Sequence, residues 1–464
     1  MATEFDVVIV GARCAGAPLG ALLARRGVSV AVLEKASFPR DTLSTHVFEA
    51  DALSFLARLG LGERLLQTGA PPIWRADNRM ENLRWTGGWP TRPGDLGGVM
   101  SIRRFVLDPI LAGAARSAGA EVRMAAEVTD LVEEDGRVSG VRVDAEDGAR
   151  ELRARLVVGA DGRNSTVARL VGARRYNAVP NQRALYWGFF EGAEIGEPTF
   201  VFHRWGKNMV QACPTDSGLY QVGVFVELGD LASFRADLEA QFPERASSCE
   251  PVARAMADAR LAAKLRRASR WEGFFRDGSG PGWVLTGDAG HFKDPAPGRG
   301  IGDAFLQADR LADVIATALD RPDDAVDAAM SSFWRWRDAE FAEHYWFASD
   351  LGSVEPLPAA LLEVLALLMR RGRGHLALEI NNHRLRPSEL LTPRRLLRGA
   401  AAALRHNKGD RLPVVRELAS LVVRELYRRA LRRRPRYAES GSGATEIPVS
   451  GGIGADLVKE AVCE

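Results

Sequence analysis

Apolar runs of strand length and segments of helical period alternate from the start of the chain. FDVVIV (5–10) and VSVAVLE (28–34) are continuous apolar runs, and the alanine- and leucine-rich stretch 16–26 lies between them, so the pattern predicts a strand–helix–strand unit. A further helix is predicted over 104–118. Residues 121–158 alternate and break at Asp135-Gly136 and Asp147-Gly148, which reads as a meander of three or four strands. From 174 to 275 the β-forming and aromatic runs LYWGFFEG, TFVFHRW and GLYQVGVFVEL predict a mostly antiparallel second sheet, with helices at 231–242 and 250–266. GWVLTGD (282–288) then reads as a strand returning to the first unit, with helices over 302–319 and 325–347. Beyond 354 the pattern is helical, interrupted at Pro387, Pro393 and Pro413, and the Gly/Ser-rich tail is predicted to be mobile.

The expected organisation is therefore α/β. Residues 1–173 and 276–350 form one unit built from separated segments, 174–275 an inserted antiparallel sheet, 351–437 a helical region and 438–464 a tail. Composition changes this picture little. The four cysteines stand singly, which argues against a zinc site, a disulfide scaffold or a redox dithiol and suits a reducing, cytoplasmic setting. No signal-peptide pattern opens the chain and no uncharged apolar run is long enough to span a bilayer, so a soluble protein is expected. Charge is more informative. The net +2 hides 19 basic against 7 acidic residues in 354–437, a local +12. An arginine-rich solvated helix face accounts for that excess, with weak contact to a membrane surface as the alternative reading. The basic region lacks interleaved aromatics and any nucleic-acid motif, so no nucleic-acid partner is expected.

Three motifs carry chemistry. In VIVGARCAGAPLGALLARRGVSVAVLE (8–34), a strand enters the loop Gly11-Ala12-Arg13-Cys14-Ala15-Gly16, a helix comes next, and the second strand ends at Glu34. Such a loop presents backbone N–H groups and a helix N-terminus to a pyrophosphate, and the terminal acid suits a ribose hydroxyl. Arg13 occupies the place of the middle glycine in GxGxxG, and Cys14 reads as a packing residue. In the second motif, GADGRNS (159–165), Asp161 sits at a strand end. In the third, LTGDAGHFKDPAPGRGIGD (285–303), Asp288 comes directly after a strand and a Gly/Pro loop leads into a helix.

The succession GxxxxG…E, RRFVLD, GADGRNS and GDAGHFKDPAPGRGIGDA resembles the single-component FAD monooxygenases of the aromatic hydroxylase-like family and the related geranylgeranyl reductase-like branch. The likeness runs from about 5 to 320 and implies a Rossmann-type FAD-binding domain with the β-rich insertion as substrate domain. By that resemblance, Gly11, Ala12, Arg13, Ala15 and Gly16 hold the pyrophosphate, Glu34 and Lys35 the adenosine end, and Val128 meets adenine. Arg104 contacts the phosphates or ribityl chain, Asp161 supports FAD and the transient nicotinamide donor, and Asp288 binds the ribityl side. Pro295, Gly298, Gly300 and Ile301 line the flavin ring. Two positions depart from the family pattern: Arg299 stands for glutamine and Gly302 for asparagine.

The resemblance implies oxygen insertion through a flavin C4a-peroxide; since no second glycine fingerprint exists, electrons are expected from transiently bound NAD(P)H, with an outside reductase as the alternative. A reductase acting on an isoprenoid and a cyclase retaining FAD are the alternatives. Halogenation is not expected, since no lysine occurs between Lys35 and Lys207. In FPRDTLSTH (38–46), Arg40 is the candidate for binding a phosphate or carboxylate and His46 for orienting substrate or shuttling a proton, with an ordinary surface or structural role as the equal alternative for each. The expected substrate is an aromatic, polyketide or isoprenoid small molecule. Trp187, Phe189, Phe190, Phe202 and Trp205 read either as its pocket or as plain sheet core.

Overall fold

Thr3–Val10 and Val30–Leu33 lie side by side in parallel, with Val7 opposite Val30, and helix Gly16–Ala24 crosses between them. The structure, a computed structural model, describes residues 3–40, 42, 44–145, 148–406 and 411–438. Val7, Val8 and Ile9 are fully buried, as a strand covered on both faces requires, and this is why the run is apolar without alternation. Gly148–Gly159 pairs in parallel on the other side of Thr3–Val10, Trp283–Leu285 lies beyond it, and Glu121–Arg123 extends the opposite edge. One parallel sheet thus takes strands from distant stretches of chain. Glu127–Glu134 and Arg137–Ala145 add an antiparallel flap to Gly148–Gly159.

The second sheet runs, in order, Arg183–Glu191, Tyr220–Glu227, Asn208–Pro214, Thr199–Trp205, Arg75–Met80 and Leu83–Gly88. Its last two strands correct the expected boundary, which gave all of 1–173 to the first unit. RADNRM is mostly polar and the alternation in LRWTGG spans only Leu83 to Thr86, so their place is fixed by a partner far along the chain, Thr199–Trp205, which runs parallel to Arg75–Met80. The helix expected over 250–266 is also corrected: it covers Glu250–Ala255 only. Arg260–Leu261 and Arg266–Ala268 instead pair with Arg183–Glu191, covering backbone groups that a helix would leave as an open edge.

A small sheet of Arg175–Pro180, Glu272–Arg276 and His291–Phe292 lies in the segments joining the two larger ones. Helix Gly300–Ala318 packs on Gly16–Ala24. The 30-residue helix Asp323–Gly352 comes next, burying Val326, Met330, Phe333, Phe341, Tyr345 and Ala348 along one stripe. Five helices complete the described chain: Ala359–Arg370, Leu376–Asn381, Pro387–Leu390, Pro393–His406 and Leu412–Arg433. The three prolines that break the sequence pattern sit in the first turns of the last three, where a missing N–H leaves no intrahelical bond unmade. From 439 onward the tail lies outside the described residues. Among the described residues no helix is long and apolar enough to cross a membrane.

Candidate functional site

Three strand ends meet at one edge of the parallel sheet. The N–H of Gly11 donates to Leu33 O (2.6 Å), that of Ala160 to Val10 O (2.8 Å) and that of Thr286 to Gly159 O (2.9 Å). The three motifs are thereby neighbours, and they open on one cavity of about 570 Å³, a volume within the range of cofactor and ligand sites.

Each segment contributes to its wall. Gly11, Arg13 and Ala15 line it from the first loop, and Glu34, Lys35 and Arg40 from the stretch just past the second strand. Arg104, Val128 and Asp161 line it from the middle of the chain; Asp288, Pro295, Gly298, Gly300 and Ile301 line it from the third motif. Gly11 has φ +103°, and a Cβ there would meet Ala160 O at 2.5 Å; a Cβ on Gly16 would meet Gly11 O at 1.8 Å. Only glycine fits either place, so the turn closes tightly and aims the helix N-terminus into the cavity. Ala12 and Gly16 support the loop from behind rather than line the cavity. The Ala12 N–H donates to Glu34 Oε2 (3.1 Å), and Ala36 N–H donates to Oε1 (3.2 Å), so the acid is oriented by the loop beside it.

The Arg13 side chain folds aside from the missing glycine position. Its Nη1 donates to Asp108 Oδ2 (2.7 Å), while Arg104 Nε donates to Asp108 Oδ1 (2.6 Å). Asp108 is fully buried and organises both arginines at the cavity wall. Cys14 lies against it, and burial pushes its thiol up to about 12, which fits packing rather than nucleophilic chemistry. Asp161 Oδ2 accepts from the N–H groups of Thr166 (2.7 Å) and Val167 (3.3 Å), capping a short helix, while its buried Oδ1 has no partner. Burial raises the Asp288 carboxyl to about 6, reinforced by the negative charge of Asp303 and opposed by Arg104 and Arg163.

His46 is placed in keeping with the structural one of its two expected roles. It is fully buried outside the cavity lining, with φ +59°, and its Nδ1 accepts the Arg104 N–H at 3.1 Å. Burial, with Arg104 and Arg103 nearby, lowers it to about 3, so the ring stays neutral and suits holding the Arg104 backbone rather than shuttling protons. Of the two readings of the aromatics, the packing agrees with sheet core: Trp187, Phe189 and Phe202 pack in one cluster and Phe190 in another, with Trp205 against it. The second sheet reaches the cavity through Leu185 and Ala268, with Trp271 just beyond.

The two departures from the family pattern prove to be one feature. Arg299 is buried and donates through both terminal nitrogens to Asp51 (2.8 Å each), and through Nη1 to Glu49 (2.9 Å). Its guanidinium lies where a Cβ on Gly302 would stand, 2.9–3.0 Å away. A side chain at 302 would collide with it.

Sequence reading missed Arg163 and Lys293, which stand inside the second and third motifs and line the cavity. Arg163 Nη1 is buried without a partner; Lys293 is buried and ion-paired with Asp303. A charge inside each motif was the available signal. The cavity therefore offers a helix N-terminus, glycine-cleared backbone, several cations for a diphosphate, oriented Glu34 for a ribose, and unpaired polar atoms on Asp161 and Arg163. That donor set fits a flavin dinucleotide.

The family model of the FAD binding domain matches residues 4–331. The menaquinone reductase of Mycolicibacterium smegmatis is 28% identical over 345 residues, covering 68% of this chain and 78% of the relative. The rifampicin monooxygenase of Streptomyces venezuelae is 27% identical over 382 residues, covering 79% and 75%. The solved flavin-dependent brominase Bmp2 superposes with a TM-score of 0.70 at 18% identity, covering 88% of this chain and 100% of that one, which speaks to the fold.

Proposed function

The chain belongs to the FAD binding domain family, and from this footing we propose that it is a monooxygenase that hydroxylates or epoxidises a small apolar or aromatic metabolite, with NAD(P)H as transient electron donor. That it is an FAD-dependent oxidoreductase is given by the family and its relatives. The observation carrying the finer reading is the continuity of the cavity, from the glycine loop past Asp288 to Leu185, Ala268 and Trp271 at the second sheet. A cofactor held at one end would face an apolar-walled space at the other. The rifampicin monooxygenase supports the same reading.

When bound, FAD supplies the two-electron redox chemistry and the activation of oxygen; the protein supplies position and surroundings. Gly11 to Gly16 and the helix they open would hold the pyrophosphate, with Arg13 and Arg104 as counter-charges. Glu34 would accept from the adenosine ribose and Asp288 from the ribityl side. Gly298 to Ile301 would lie along the flavin ring, where the N-terminus of helix Gly300–Ala318 favours negative charge. Leu185 and Ala268 would give the far end an apolar wall that disfavours water. Arg40, exposed at the cavity wall, is placed to bind a phosphate or carboxylate of donor or substrate.

A reductase reading is favoured by the menaquinone reductase relative. Purified FAD-loaded protein distinguishes the two. Oxygen- and substrate-dependent NAD(P)H oxidation with oxygenated product is expected; anaerobic turnover would make it a reductase, and turnover without a donor a cyclase. A brominated product that requires bromide would replace all three.

A further inference from the structure

The last helix, Leu412–Arg433, has two apolar faces, and folding explains one of them. Its inner face buries Val414 and Leu431 and is tied down by ion pairs. Arg428 makes a two-bond contact with Asp350 (2.8 and 2.6 Å), and Arg432 lies 3.7 Å from Glu343. Glu417, itself exposed, accepts the Ala359 N–H (3.0 Å) at the start of the neighbouring helix. Just past the helix, Asn177 N–H donates to Arg436 O (2.8 Å) and Tyr437 Oη donates to Asp277 (3.0 Å), fixing that end to the body.

About half a turn round, at ~100° per residue, Val415, Ala419, Val422, Val423, Leu426 and Ala430 form a second stripe. Val415, Val422, Val423 and Leu426 are 43–60% exposed. The stripe extends roughly 22 Å, at 1.5 Å per residue. Exposed Arg411, Arg416, Arg429 and Arg433 flank it. Of the acids in the helix, Glu425 is paired with Arg429, and Glu417 lies about half a turn from the stripe, where it accepts the Ala359 N–H.

We propose that this arginine-flanked stripe rests on an anionic phospholipid surface, with its apolar residues at the headgroup–acyl boundary. The pattern is that of a helix lying in the interface: a narrow apolar face between cations, on an element that does not span. Charge selects the occupant. Anionic headgroups complement the flanks, whereas a second copy would set arginine against arginine. The surface is separate from the cavity and does not depend on which reaction occurs there.

The test is flotation of the full-length, FAD-loaded protein with phosphatidylcholine vesicles and with vesicles containing phosphatidylglycerol. Binding to the anionic vesicles alone is expected, falling about tenfold between low and high salt as charge is screened. Val422→Ser with Leu426→Ser, and separately Arg416→Glu with Arg429→Glu, should each lower binding about tenfold or more while flavin content and melting temperature stay unchanged. Absence of binding, or equal binding to neutral vesicles, overturns the proposal. So does sedimentation showing a dimer that the serine pair separates, which would assign the stripe to a second copy.

Discussion

His383 Nε2 lies 3.2 Å from Asp303 Oδ1, so a residue of the C-terminal helical region closes against the wall of the cofactor cavity. Asp303 also faces Lys293 and Arg299 (3.7 Å), and these cations hold its carboxyl well below the usual range despite burial. His383 has φ +50° and stacks on His344 with ring centroids 3.9 Å apart; burial keeps it below its ordinary value. Asp303→Asn leaves buried Lys293 without its counter-charge, while Arg299 keeps Asp51, and is expected to cost about 3–5 kcal/mol. His383→Ala should cost less, about 1–3 kcal/mol, through the lost stack and contact. Urea unfolding of each variant measures both, and equal costs would mean that His383 carries the cluster.

Arg299 and Gly302 should behave as one unit. Gly302→Asn alone forces the guanidinium off Glu49 and Asp51, an overpacking cost of about 1–3 kcal/mol or more. Arg299→Gln with Gly302→Asn, the family pattern, removes the collision. The pair is expected to be more stable than the sum of the single changes implies, which a double-mutant cycle of unfolding free energies detects.

Asp288 sets a pH dependence. Its carboxyl is raised from 3.8 to about 6 by burial, so its contribution to stability is complete below 3.8 and is lost as pH rises through about 6. Cofactor-free protein should therefore lose on the order of 2–3 kcal/mol between about pH 4 and about pH 7 that Asp288→Asn does not lose. Denaturant titrations of both proteins across that window give the difference directly. Parallel profiles would assign the pH dependence to other groups.

Gly11→Ala meets two obstacles at once, a φ of +103° and a carbonyl 2.5 Å from the new Cβ. Purified variant is expected to have lost bound flavin, with added FAD failing to quench its fluorescence on titration. Ala24→Gly, at the far end of helix Gly16–Ala24 and outside the cavity lining, serves as the control and should keep its flavin.

The glycine loop, the acid at Glu34 and the Gly/Pro entry to helix Gly300–Ala318 were legible in the sequence because each is a local device: a turn, a strand end, a helix start. Parallel strands buried on both faces also announce themselves, as FDVVIV does, by an unbroken apolar run. What the sequence could not assign rests on partners far along the chain. Strand Arg75–Met80 gains its place from Thr199–Trp205, and His46 is structural because its Nδ1 meets the Arg104 backbone. Arg299 excludes a side chain at Gly302 only because Glu49 and Asp51, some 250 residues earlier, hold its guanidinium there. The sequence by itself determined the cofactor class and the three motifs that line one cavity, since those depend on backbone conformation and short spacings. The tertiary structure decided which side chains face the cavity, which charges are paired and which apolar stripe remains outside, since burial and pairing exist only once distant segments share one volume.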